Sequence, residues 1–255
     1  MNYVYLKPPP QLSSFIQTVL VVNGDANVSS SDLPLVSSGM SALLYESSEP
    51  ASHHLTLFGT SIPQERWTTN SKKLLIGYLF RPFALAPMFR MPVATLKQDP
   101  IDLQSWNAQK AMALRVQFIH STTTQERIDI INDFLISQLE ANKRECEIIQ
   151  FATDQMMEQS DPAVLSQMLT QLNLTERTFQ RIFKQYTGIT PNQYRRICQF
   201  YFAFSQLKGK HFEKQTDVAF ANNYFDQSHY IRAFKEFTDI TPTDYLQHGL
   251  NNKSG

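Results

Sequence analysis

Cysteine is scarce in this chain: 255 residues hold only Cys146 and Cys198. They lack the paired spacing of a disulfide framework or a thiolate zinc site, so a reducing cytoplasm is the expected setting. Glycine is scarce too, at eight residues. There is no glycine-rich phosphate loop, no G-x-S-x-G nucleophile elbow and no H-E-x-x-H zinc helix. With no nucleophile and base brought together by spacing, the sequence points away from an enzyme and implies no cofactor. Long apolar runs are also lacking. The most apolar windows, 15–22, 74–80 and 197–204, stop well short of the roughly 18 residues that cross a bilayer. No basic segment precedes an apolar stretch at the N-terminus, so neither a membrane partner nor an export signal is expected. Net charge is zero, which argues against a protein coated in nucleic acid from end to end.

What is present begins with a core. Hydrophobic residues make up 42% of the chain, enough for one large domain or two smaller ones. Charge is uneven: from Asp161 onward there are eleven Lys and Arg against eight Asp and Glu, leaving the C-terminal part mildly basic. Residues 1–105 carry apolar runs at 15–22, 40–45, 55–58 and 74–80. Turn-forming clusters at 22–25 and 49–52 separate some of them, which reads as mainly strand. Residues 106–160 contain no Pro or Gly, and Ile128, Ile131, Leu135 and Leu139 recur at helical spacing, which predicts two or three helices. Asp161-Pro162 then offers a cap and a proline at the first helical position, opening a third part at 161–250. The expected class is α+β: a mainly β domain, a helical linker serving as packed connector or dimer seam, and an all-α domain.

That last part repeats itself. TFQRIFKQYTGITPNQY at 178–194 recurs as HYIRAFKEFTDITPTDY at 229–245, an offset of 51 that lays Arg181 over Arg232, Phe183 over Phe234 and Tyr194 over Tyr245. Each copy reads as a short helix, a tight turn and a capped second helix, and each closes on Thr-Pro, which launches another helix. The predicted elements are a helix at 163–170, one capped by Thr175 and running to about 186, a bridge at 191–208, a short helix at 216–221, and one capped by Asp226 ending near 237. Two helix-turn-helix elements joined by a bridge follow.

The second helix of each copy is two-faced. Arg177, Gln180, Arg181 and Lys184 form one stripe, with Phe179, Ile182, Phe183 and Tyr186 behind it. Ser228, His229, Arg232 and Lys235 form its counterpart, backed by Tyr230, Ala233, Phe234 and Phe237. Arginine donates a planar fork to guanine and glutamine pairs with adenine, so such stripes suit base readout. A single basic stripe is more often a solvated face; two matching ones, each behind a helix-turn signature, favour DNA.

Residues 164–246, about a third of the chain, resemble the double helix-turn-helix domain of AraC/XylS-type transcription regulators. The runs FDQSHYIRAFK at 225–235 with ITPTDY at 240–245, and LTERTFQRIFK at 174–184 with GITP at 188–191, carry the resemblance. It implies a partner in double-stranded promoter DNA, with Arg177, Gln180, Arg181, Ser228, His229 and Arg232 contacting bases and Lys184, Arg195, Arg196 and Lys235 contacting phosphates. Helix N-termini at Thr190 and Thr241 would add phosphate contacts. Four positions depart from the family pattern: Asn173 and Asn223 replace turn glycines, Leu169 replaces a small residue, and Gln199 replaces an arginine common in the bridge.

The N-terminal part resembles, more faintly, an accessory domain placed before this unit in some family members. Tyr5-Leu6-Lys7-Pro8 and 76–84 carry that likeness. Its open roles are sensing a small-molecule effector, dimerising and contacting RNA polymerase; a structural brace without ligand is the alternative. Monomer and homodimer both remain open. Arg81, ending an apolar strand before a proline, is the candidate anion contact. His53-His54 lack a third ligand at metal spacing, and Trp67 and Trp106 are expected core anchors. The rival from another class is a protein-interaction module whose helices dock a partner, in which DNA binding would be weak and insensitive to Arg181 and Arg232.

Overall fold

The computed structural model describes residues 3–23, 40–48, 52–59, 73–97, 99–159, 161, 163–209, 212 and 214–248. Trp67, Pro162, residues 24–25 of the first turn cluster and 49–51 of the second lie outside the described residues. Two compact units are formed, one of residues 1–150 with 185–188, the other of 151–184 with 189–255. Among the described residues no helix is long and apolar enough to cross a membrane.

The first unit is built on one antiparallel sheet. Its strands are β1 (Tyr3–Leu6), β2 (Ile16–Asn23), β3 (Ala42–Ser48), β4 (Ser52–Phe58), β5 (Lys73–Phe80) and β6 (Ile101–Asp102), in the order β1-β2-β5-β3-β4-β6. The four apolar runs read from sequence became β2 to β5. Their buried stretches, such as 18–22, 42–45 and 74–80, do not alternate with exposed residues, because the sheet is covered on both faces. Leu20, Val22, Ala42, Leu44, Leu75 and Leu79 pack on one side. Tyr45 and Tyr78 are buried on the other, where the Tyr78 hydroxyl donates to Asn132 Oδ1 at 2.8 Å and to the Ile128 carbonyl at 3.1 Å. Sequence reading missed the flanking pieces: β1, β6, and the one-turn helices α1 (Leu85–Met88) and α2 (Val93–Leu96). Elements of two to four residues are too short to show a period.

The helices expected after residue 106 are α4 (Ala108–His120), α5 (Thr124–Ala141) and α6 (Lys143–Glu158), preceded by a single turn, α3 (Leu103–Trp106). Local chemistry sets their starts. Asn107 Oδ1 accepts from Lys110 N at 3.0 Å, and Thr123 with Glu126 forms a reciprocal capping box. Ile131 and Leu135 on α5 are fully buried, and Lys110 on α4 donates to the buried Gln138 of α5 at 2.7 Å. Trp106 is half-buried, its ring 5.1 Å from Phe89. Cys146 and Cys198 are free and buried. Burial pushes their thiols up, to about 12 and about 11, so both stay protonated at neutral pH.

The second unit is all helix: α7 (Val164–Leu172), α8 (Glu176–Thr187), α9 (Pro191–Lys208), α10 (Gln215–Ala221), α11 (Gln227–Thr238) and α12 (Pro242–His248). α9 carries the expected bridge, 18 residues long. The repeat is a repeat of geometry. Phe183 stands 5.7 Å from Tyr194, and Phe234 stands 6.0 Å from Tyr245. Thr190 is boxed with Gln193, and Thr241 with Asp244. Gly188 and Asp239 hold equivalent left-handed positions after α8 and α11, at φ 83° and 62°.

Candidate nucleic-acid interface

The two turns are set by asparagine where glycine is usual in the family the sequence resembles. Asn173 (φ 49°) and Asn223 (φ 58°) are both left-handed, a conformation asparagine tolerates better than most residues because its short polar side chain bonds locally. The helix ends match: Leu174 N donates to Leu169 O at 3.1 Å, and Tyr224 N donates to Ala219 O at 3.0 Å. Beyond this point the copies differ. Thr175 caps α8 two residues after Asn173, whereas Asp226 caps α11 three residues after Asn223. The second turn is one residue longer, and the added residue is Phe225.

Gln199, in the middle of α9, is 4% exposed. Its side-chain amide donates both hydrogens to the second turn, to Asn222 O at 2.9 Å and Asn223 O at 3.0 Å. The Asn222 amide in turn donates to Gln206 Oε1 and Val218 O, each at 2.8 Å. The bridge therefore holds the turn that aims α11. The departure from arginine noted in the sequence left a structural bond pair in place.

On α8, Arg177, Gln180, Arg181 and Lys184 are all exposed, while Phe179 and Phe183 are buried beneath them. Gln180 is steered by Glu176, whose Oε1 accepts from its amide at 2.8 Å. On α11, Ser228, Arg232 and Lys235 are exposed, and Tyr230, Ala233 and Phe234 are buried. The Arg232 guanidinium folds back to the Ser228 carbonyl at 3.3 Å. His229 differs from its neighbours. Its ring sits edge-on to Tyr224 at 5.3 Å, and its Nδ1 faces the Phe225 N–H at 3.5 Å, so it braces the start of the helix. Phe237, read as part of the apolar stripe, lies at its rim, 38% exposed and stacked on Phe200 at 4.7 Å.

The proposed phosphate residues fall into two groups. Lys184 and Lys235 are exposed. Arg195 and Arg196 are half-buried on α9. Arg195 lies 3.3 Å from Asn192 Oδ1, and Arg196 pairs with Glu236 of α11 at 2.6 Å. That ion pair ties the bridge α9 to α11. Arg81, on the first unit, donates Nε–H to the Ser13 carbonyl at 3.0 Å, bracing the end of β5.

Sequence reasoning missed Gln199 as a clamp and Phe225 as an inserted residue. The signal for the second was there, since Asn173 and Asn223 stand 50 apart while Thr175 and Asp226 stand 51 apart.

Comparison with known proteins adds the following. Residues 168–248 match a helix-turn-helix domain family, and residues 5–102 match a domain family of unknown function, DUF6597. No curated protein matches the chain. Solved structures of ToxT from Vibrio cholerae are similar at low superposition. That of strain O395 is 9% identical, covers 98% of this chain and 97% of its own, and has a TM-score of 0.35. The fatty-acid-bound form from strain SCE256 is 12% identical over 82% of this chain and 83% of its own, with a TM-score of 0.33. The chain joins an N-terminal DUF6597 domain to a C-terminal helix-turn-helix domain of the AraC/XylS type, the DNA-binding half of transcription regulators.

Proposed function

We propose that residues 161–250 read promoter DNA with two helices at once, α8 and α11 entering successive major-groove segments on one face of the duplex. The observation that carries this is the pair of exposed basic stripes on buried aromatic backs, separated by one bridging helix. Eighteen residues at about 1.5 Å each span about 27 Å, to be compared with roughly 34 Å per duplex turn. Arg177, Gln180 and Arg181 would read one half-site, and Ser228 and Arg232 the other. His229 would act on bases only after leaving Tyr224. Lys184, Lys235 and Arg195 would neutralise phosphates, joined by Arg196 through the guanidinium N–H groups that Glu236 does not take.

Selection from a random DNA pool at fixed salt tests this with wild type, Arg181→Ala and Arg232→Ala. A bipartite motif, lost half by half in the two variants, supports it. Each substitution should cost about 1–3 kcal/mol at one base position. Lys235→Ala should instead weaken all sequences alike and flatten the salt dependence. Equal effects of Arg232→Ala and Lys235→Ala across random DNA would sink the assignment of Arg232 to base readout.

For residues 1–105 with the helices that follow, the reading favoured is control by a small-molecule signal. A cavity of about 400 Å³ between β4 and α4 supports it over a solid structural brace.

A further inference from the structure

The cavity on the first unit is bounded by His53, His54 and Leu55 of β4 and by Met112, Arg115 and Phe118 of α4. Leu55 and Phe118 are buried and give it an apolar floor. Its polar edge is formed by His53 and Arg115, with Asp102 beside them. His53 Nδ1 lies 2.8 Å from the Tyr45 hydroxyl. With Nδ1 engaged by Tyr45, Nε2 is the ring nitrogen left to meet a ligand. The ring is fixed by stacking on Tyr45 at 6.0 Å and Phe118 at 5.7 Å. Burial and the nearby Arg127 and Arg115 push the pKa of this histidine down. Arg115 makes no ion pair among the described residues. Asp102, a carboxylate on the cavity wall, already accepts from Gln104 N at 2.8 Å as the cap of α3. His54 stands opposite Glu46 in the ladder and is left out of the donor set.

An apolar floor, one fixed imidazole and one guanidinium with no ion pair among the described residues match a particular ligand chemistry. We propose that this cavity binds a small organic monocarboxylate with an aromatic or short aliphatic body, its carboxylate on Arg115 and His53 and its body on Leu55 and Phe118. The consequence for DNA rests on the signal reading above; the binding itself does not. Isothermal calorimetry on the full chain, without DNA, tests the site with benzoate and hexanoate against their amides. Saturable binding at millimolar concentration or below is expected, about tenfold weaker for the amides and for Arg115→Gln, as fits loss of a hydrogen bond to a charged group. Ala111→Phe, which fills the cavity, should abolish it in a variant that still melts cooperatively. No saturable binding by either acid, equal binding of the amides, or an unchanged affinity in Arg115→Gln overturns the proposal. Binding that leaves DNA affinity unaltered upholds the site and removes only its role as a signal.

A second, independent observation concerns Phe225. The inserted residue of the second turn is 87% exposed, the most exposed of the large apolar residues described. Tyr224, which takes the place of the half-buried Leu174, is itself buried, so Phe225 is not needed by the core. It stands directly before the cap of α11, at the end of a reading helix that reaches base edges. We infer that Phe225 contacts the 5-methyl group of a thymine beside the half-site of α11, adding an apolar reader to Arg232. This rests on the two-helix reading, and the test separates them. Deoxyuridine replaces thymine position by position across the selected half-site, with wild type and Phe225→Ala. At one position the loss of the methyl group should weaken wild type about fourfold, the worth of one buried methyl group, and leave Phe225→Ala unmoved. A site lost in Arg232→Ala but indifferent to every uracil substitution overturns the Phe225 inference alone. Absence of any sequence preference, in protein shown to be folded, overturns both.

Discussion

Gln199 is where a single substitution tests most directly how α11 is held. Both hydrogens of its amide are committed to carbonyls of one turn, Asn222 O at 2.9 Å and Asn223 O at 3.0 Å. Asn222 is buried, so its carbonyl finds no water when the donor is removed; Asn223 is exposed, and its carbonyl rehydrates in part. An orphaned buried acceptor costs about 1–3 kcal/mol and an ordinary lost hydrogen bond about 1 kcal/mol. Gln199→Ala should therefore destabilise by roughly 2–4 kcal/mol. In a helical unit of this size that is a fall on the order of 10–20 °C in melting temperature. Gln199→Glu separates hydrogen bonding from packing. It keeps the shape but turns an acceptor edge toward two acceptors, so it should cost more than the truncation. Far-UV circular dichroism during thermal unfolding gives the magnitude. Amide exchange gives the place: faster exchange at 219–229 in both variants, with α7 unchanged. A Gln199→Glu variant no less stable than Gln199→Ala would refute the donor role and leave only packing.

Other substitutions address the caps and turns. Asn223→Ala should lose about 1 kcal/mol in urea unfolding, because a β-carbon disfavours its left-handed backbone, while Asn223→Gly should hold or gain stability. Asp226→Ala removes the acceptor for His229 N at 2.6 Å and should cost about 1 kcal/mol, with Asp226→Asn recovering most of it. Glu126 accepts from Thr122 N and Thr123 N, and these backbone bonds hold its carboxyl below the usual range. The folded value being depressed, this contribution is complete above the unfolded carboxyl range and is lost as pH falls through the folded value. Glu126→Gln should thus flatten the acid limb of the stability profile while leaving the alkaline limb alone.

The helices of the second unit were legible because their boundaries are written locally. Thr190-Pro191 and Thr241-Pro242 fix helix starts from within three residues, and the structure begins α9 and α12 at those prolines. The apolar runs that became β2 to β5 were legible for a different reason, since strands buried on both faces need little else. β1 and β6 lie at the two edges of the sheet and carry no such run. Gln199 was illegible because its partners are 23 and 24 residues away, a distance no helical period encodes. For His229 the periodicity correctly placed the residue on the polar stripe. The ring's turn toward Tyr224 depends on the longer second turn, which brings that aromatic next to the start of α11.

That longer turn also makes the two copies unequal readers on the proposed mode of binding. α8 presents two arginines and a glutamine, the side chains that pair best with purine edges in the major groove. α11 presents one arginine and a serine, keeps its histidine against Tyr224, and gains an exposed phenylalanine. Its half-site should be read less by hydrogen bonds and more by a thymine methyl group. A site read by unlike halves has a direction, and one chain then binds it in a single orientation. Exchanging the order of the two half-sites, at unchanged spacing and base composition, should cost as much as losing the weaker half outright. Equal affinity for the exchanged site would mean that the copies read alike, and that the inserted residue has no part in recognition.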